Sequence, residues 1–244
     1  VTTTGASAVL LLGHGSRDPR AAYVVGELVD GLARSSGREV RSAFLDFTVP
    51  TPEVALAQLA NDGLTAIRVV PLLFTPGYHL THDVPRAIAA SGVGGTVDIT
   101  VAPALLAAGP PIRSLLIRAL SDRLVQAGAG GDLDALVLAS AGSSSQEARR
   151  HIDALARGIS HAHGIPVLPA FASAATPSPA QALKALSDRG FARPAVASLF
   201  VAPGRLPDSV FAACPDVPVA DPLGVSPLFV ELLVAHARLL SKAT

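Results

Sequence analysis

The chain has 244 residues, half of them apolar, with 19 basic and 19 acidic side chains and no net charge. That length allows one large domain or two small ones, each with a real core. The balanced charge argues against a nucleic-acid partner, no apolar run approaches the roughly 20 residues of a membrane span, and a lone cysteine, Cys214, excludes an internal disulfide.

The first residues show no basic region ahead of an apolar one, so they do not read as a signal peptide. The cytoplasm is the expected location. Ala8–Leu12 is a short apolar strand. Ala21–Arg34 carries Val24, Val25, Leu28, Val29 and Leu32 at helical spacing. Val40–Phe47 reads as a second strand. Pro52–Asn61 reads as a helix with proline in its first turn. Ile67–Phe74 is a third apolar strand, followed by a helix beginning at Val84–Ala90. Thr96–Ala102 is a candidate fourth strand and Ile112–Ala127 a helix. Strands alternating with helices predict a parallel sheet covered on both faces.

Shifted by 127 residues, the chain matches itself. "VLLLGHGSRD" from Val9 falls on "LVLASAGSSS" from Leu136, Thr51-Pro52 on Ser178-Pro179, and "LLFTPG" from Leu72 on "LFVAPG" from Leu199. The expected organisation is two similar α/β domains from an internal duplication, residues 1–127 and 132–244, facing across a cleft. The Gly- and Asp-rich stretch between them reads as a linker.

In an open parallel sheet, ligands bind beyond the carboxyl ends of the strands. Three segments reach that edge in the first half. His14 follows the first strand, Asp46 lies near the end of the second, and Tyr78, His79 and His82 follow the third. The shift places Ala141 opposite His14, Ser173 opposite Asp46, Leu206 opposite His79 and Ser209 opposite His82. The scaffold occurs twice and the titratable groups once, so the fold itself does not require them. A single histidine at a strand end is more often a capped or solvated residue. Two imidazoles and a carboxylate on one predicted edge point instead to a functional cluster. Gly13 and Gly15 suit a tight turn, and Ser16 is the expected cap of the next helix. His151, His161 and His163 read as solvated, and Cys214 as inert.

No Walker loop, nucleophile elbow or zinc spacing is present, and "GHGSRD" lacks the third glycine of a dinucleotide fingerprint. An open set of imidazoles suits transient binding of Fe, Co, Ni or Zn. On the residues alone, a metal-handling enzyme and a metal carrier both remain open.

"LLGHGSRDPR" (11–20), "AFLDFTVPTPEVAL" (43–56), "PLLFTPGYHLTHDVP" (71–85) and "DPLGVSP" (221–227) together resemble the sirohydrochlorin chelatase family, the class II chelatases of sirohaem and cobalamin synthesis, in its long two-domain form. The resemblance implies ATP-independent insertion of a divalent metal, Fe²⁺ or Co²⁺, into a tetrapyrrole. It implies His14 and His79 as catalytic residues and metal ligands. Asp46 falls where the family usually has Glu, and His82 where many members have an acidic residue; both are candidate metal ligands. Gly15, Ser16, Arg17, Gly77, Tyr78 and Arg86 are candidate substrate contacts. Arg17, Arg20 and Arg86 carry the charge that a polycarboxylate would seek. Sirohaem production with Fe²⁺ is the first expectation, cobalt insertion for cobalamin the second, and a non-catalytic tetrapyrrole or metal carrier the alternative from another class. The protein is expected as a monomer or homodimer.

Overall fold

A computed structural model describes residues 7–239. The first half runs β1 (Ser7–Gly13), α1 (Pro19–Ser36), β2 (Glu39–Phe44), α2 (Pro52–Asn61), β3 (Ala66–Pro71), α3 (Val84–Ala90), β4 (Asp98–Val101) and α4 (Pro110–Gln126). The second runs β5 (Ala135–Ser140), α5 (Gln146–His163), β6 (Val167–Phe171), α6 (Pro179–Asp188), β7 (Pro194–Ser198), α7 (Arg205–Ala213) and α8 (Pro227–Leu239).

The strands form two separate parallel sheets, ordered β2-β1-β3-β4 and β6-β5-β7. In the second, Val219 makes a lone parallel bridge to Val196. The central strands are buried without a break: Ala8 to Leu12 and Ala135 to Ala139 are fully covered. Alternate side chains of a strand point to opposite faces, so continuous burial requires a layer on each side. On one face of β1, Ala8, Leu10 and Leu12 pack with Ala55, Leu56 and Leu59 of α2. The equivalent face of β5 packs with Ala182 and Leu186 of α6.

The duplication is written in the backbone as well. α1 and α5 each have 18 residues, α2 and α6 each have 10. Positive φ recurs at Gly15 and Gly142, Gly37 and Gly164, Gly63 and Gly190, and at the non-glycine pair Phe47 and Ala174. Contacts divide the chain into one unit reaching to Ile112 and taking in the stretch from Val230, and another from Arg113 to Phe229. Most of α4 therefore belongs to the second unit and most of α8 to the first. The repeat boundary in sequence, between 127 and 132, and the division by packing fall at different places.

Three local expectations change. The third strand, expected to run to Phe74, ends at Pro71. The second strand, expected to run to Phe47, ends at Phe44. Its backbone turns back there: the Phe44 N–H donates to the Pro50 carbonyl, and Phe47 adopts φ +57°. Apolar Leu45 and Phe47 prolong the strand pattern without prolonging the strand. The cap of α1 is Asp18, whose carboxylate accepts the Arg20 N–H; Ser16 instead accepts the Asp18 N–H one turn earlier.

In the first unit α8 buries His236 completely, with no well-formed hydrogen bond at either ring nitrogen. Burial lowers its pKa from 6.5 to about 4; the neighbouring Pro103 carbonyl opposes that shift only partly. The native ring stays neutral where an unfolded chain would bind a proton. Stability is therefore full above about pH 6.5 and falls as pH drops toward 4, by a total on the order of 3 kcal/mol. Denaturant melts from pH 7 to 4 should show this loss, and His236→Leu should remove one proton's share of the slope. An unchanged slope in H236L would exclude His236 as its source.

Candidate functional site

The site begins where β1 stops. Beyond Gly13 the ladder to the next strand continues irregularly: the Leu45 N–H donates to the Gly13 carbonyl at 3.1 Å and the Asp46 N–H to the His14 carbonyl at 2.8 Å. These bonds hold the His14 backbone while its side chain stands exposed at the sheet edge. Gly15 then turns at φ +94°, with its α-carbon so near the next loop that a Cβ there would lie 1.7 Å from the Asp46 carbonyl oxygen. The residue after the histidine is glycine because only glycine allows this close approach; before it, a Cβ at Gly13 would press on the Phe44 ring at 3.1 Å. Gly142 and Ser173 repeat the geometry in the second unit, where Ala141 replaces the histidine.

The second imidazole comes from the segment after β3. Both His79 and His82, expected on a loop, lie in a five-residue π-helical turn, His79–Asp83, leading directly into α3. The Gly77 carbonyl opens it by accepting the Leu80 and Thr81 N–H groups. Residues four apart share one face of such a turn. His79 Nδ1 thus meets an Asp83 carboxylate oxygen at 2.6 Å. On the other side of the same ring, Nε2 lies 3.1 Å from His14 Nε2, the two rings edge to face with centroids 4.6 Å apart.

The partners define the protonation pattern. A carboxylate only accepts, so His79 carries its proton on Nδ1 and offers a lone pair at Nε2. His14 Nδ1 lies 3.3 Å from the Gly15 carbonyl, also an acceptor. When that contact is made, both Nε2 lone pairs face each other, an arrangement that calls for a proton or a cation between them. At ordinary metal–imidazole distances of about 2.1 Å, an ion there would see the two nitrogens at roughly a right angle. Both rings remain accessible, His79 with 42% of its side chain exposed.

Other residues singled out in the sequence are placed differently. The Asp46 carboxylate accepts the Phe47 N–H at 2.9 Å. The His82 ring stacks on Tyr78, centroids 4.5 Å apart, and its Nδ1 lies 2.8 Å from the Thr81 hydroxyl. Among the described residues, no three His, Cys, Asp or Glu side chains form a group able to hold an ion. The structure thus joins the His14 and His79 rings, and the side chains of Asp46 and His82 do not complete an ion-holding group with them. Arg17 lies with its guanidinium 4.9 Å from the centre of the Phe47 ring. Arg20 grips Asp18, which holds that carboxyl below its ordinary range. Ser16 serves the turn before α1, and Gly77, Tyr78 and Arg86 are exposed.

Two contributors went unread in the sequence. Asp83 is four residues from His79, a spacing that puts side chains on one helical face; assigning the segment to a loop hid it. The Thr48 hydroxyl accepts the Ser16 N–H and donates to the Ser16 carbonyl, tying the loops after β1 and β2 together. No spacing rule reveals a clamp between loops so distant in sequence.

Comparison with known proteins identifies the family. The CbiX family model matches residues 8–122 and again 135–239. A sirohydrochlorin cobaltochelatase of Methanosarcina barkeri is 36% identical over 93 residues, 37% of this chain and 72% of that protein. One from Saccharolobus islandicus is 36% identical over 104 residues, 40% of this chain and 80% of its own. Among solved structures, SirB from Bacillus subtilis with Fe³⁺ superposes with a TM-score of 0.78 at 23% identity, covering 96% of this chain and 94% of SirB. At that identity the likeness shows a shared fold. The family match on both halves decides the matter, and the chain belongs to the CbiX family.

Proposed function

We propose that the protein is a chelatase that inserts a divalent ion, iron(II) in the first instance, into sirohydrochlorin. One observation carries the reading: two accessible imidazoles meet Nε2 to Nε2 at 3.1 Å, with a carboxylate behind one of them. Family membership and relatives named sirohydrochlorin cobaltochelatases support it.

The chemistry exchanges one M²⁺ for two pyrrole protons while the ion sheds water. His79 is the base in this reading. A proton taken at its Nε2 makes an imidazolium, which Asp83 stabilises through Nδ1. His14, with only a carbonyl near Nδ1, keeps a lone pair for the incoming ion. Borderline ions such as Fe²⁺ and Co²⁺ both suit imidazole. Cobalt is the second reading, favoured by the names of the curated relatives and by SirB having been solved with cobalt as well as iron.

The test is anaerobic absorbance spectroscopy of the purified protein with sirohydrochlorin and Fe²⁺ or Co²⁺. The spectrum of the metallated ring should appear well above the uncatalysed rate, faster with Fe²⁺ at equal concentration. Faster insertion of cobalt would transfer the assignment to that metal. Binding of the tetrapyrrole without acceleration with either ion would make the protein a carrier.

A further inference from the structure

The imidazole pair is part of a longer row of rings. Phe47 lies 6.5 Å from His14, His14 4.6 Å from His79, His79 6.5 Å from Tyr78, and Tyr78 4.5 Å from His82, centroid to centroid. Phe47 is the unusual member. It is a large apolar side chain, 55% exposed, on a residue at φ +57°. That backbone conformation is uncommon for a bulky residue, and leaving an aromatic ring in water gains nothing for folding. The second unit supplies a control. Ala174 has the same φ, +57°, at the same place in the same turn. The turn therefore forms without a phenyl group. The positions matching His14, Arg17, Tyr78, His79 and His82 are Ala141, Ser144, Arg205, Leu206 and Ser209, so the rings occur only beside the imidazole pair.

We propose that Phe47 is the seat for one face of the tetrapyrrole, a substrate-binding residue beside the His14–His79 pair. The inference rests on the chelatase reading and specifies how its substrate is held. The ring's neighbour fits that occupant: the Arg17 guanidinium, 4.9 Å from the Phe47 centroid, places a positive charge beside a flat apolar surface. A planar macrocycle with acidic substituents needs that combination, an aromatic face for the ring and a cation for its rim. The cation–π contact also steadies Phe47 in the absence of ligand, which lowers the ordering cost of binding.

The experiment titrates sirohydrochlorin into metal-free protein, follows its absorbance, and then measures initial insertion rates while varying each substrate. Phe47→Ala should weaken binding of the tetrapyrrole, and raise its KM, by about tenfold, the usual scale for losing one aromatic stacking partner. Its kcat and its KM for the metal should stay within about twofold of wild type. Phe47→Tyr should restore affinity. The melting temperature of F47A should not fall, since Ala174 shows that alanine is compatible with this turn. Arg17→Ala should also weaken binding, with a deficit that shrinks as salt is added, whereas that of F47A should not. Unchanged tetrapyrrole affinity in F47A, beside normal binding by wild type, would overturn the role of Phe47 and leave the chelatase reading standing. A joint loss of kcat, both KM values and melting temperature would overturn it in favour of a structural role. Wild-type protein that neither binds nor metallates sirohydrochlorin would overturn the functional reading itself, and this inference with it.

Discussion

Replacing His79 by alanine is expected to slow metal insertion at least a hundredfold and leave the protein folded. The size follows from the work assigned to the ring. Losing a positioned base typically costs two to four powers of ten, and His79→Ala removes half of the nitrogen pair as well. Folding should survive because the half-exposed side chain lies outside the apolar clusters, and the second unit carries Leu206 at the matching place. His14→Ala should act comparably, with Ala141 as its precedent. Asp83→Asn is the informative companion. It keeps the shape of the carboxylate but removes the charge 2.6 Å from Nδ1, and loss of such a partner behind an imidazole costs roughly tenfold to a hundredfold. Insertion rates with saturating sirohydrochlorin, read beside thermal melts, decide the point. Rates within threefold of wild type in H79A would remove the imidazole mechanism. Unfolding in step with lost activity would assign the histidine to the fold.

His14 and His79 could be singled out in the sequence because duplication supplies an internal comparison. A chain that folds once with His14 and again with Ala141 shows that the imidazole is not needed for that turn. The alternation of strands and helices was legible because buried parallel strands read as unbroken apolar runs. What stayed hidden depended on backbone conformation or on packing at long range. Phe47 ends the strand pattern by adopting φ +57°, and no glycine announces it. Asp83 required the turn after Gly77 to be helical, yet the sequence there, a Pro-Gly pair followed by tyrosine and histidine, looks like loop. Asp46 and His82 sit on the predicted edge, but an edge fixes only where a residue starts. The Phe47 N–H holds the Asp46 carboxylate and the Tyr78 ring covers His82. The packing of α4 and α8 is a further case, since sequence offset measures copying and contacts measure which surface each helix covers.

Gly15→Ala should be among the most damaging single substitutions, on the order of 3 kcal/mol or more of stability. Two costs combine. At φ +94° an alanine is strained by about 1–2 kcal/mol. Its methyl would also fall 1.7 Å from the Asp46 carbonyl oxygen, a backbone atom unable to swing aside. The loop after β2 must then move, breaking the 2.8 Å bond from the Asp46 N–H to the His14 carbonyl. Gly63→Ala isolates the first cost: φ there is +85° and nothing lies within 4 Å of the added carbon, so the loss should be only about 1 kcal/mol. Gly142→Ala repeats both costs in the second unit, where the methyl would fall 1.9 Å from the Ser173 carbonyl. Chemical denaturation should therefore rank G15A with G142A, both well below G63A. Activity should separate the first two. Under conditions where each is still folded, G142A should insert metal at near the wild-type rate, because its turn carries Ala141. G15A should lose most of its rate, because the displaced bond is the one that holds His14 against His79. If G15A melted within 1 kcal/mol of wild type, the close approach of the two loops would not be a constraint on the fold. If G15A kept full activity per folded molecule, the position of His14 would not depend on that turn.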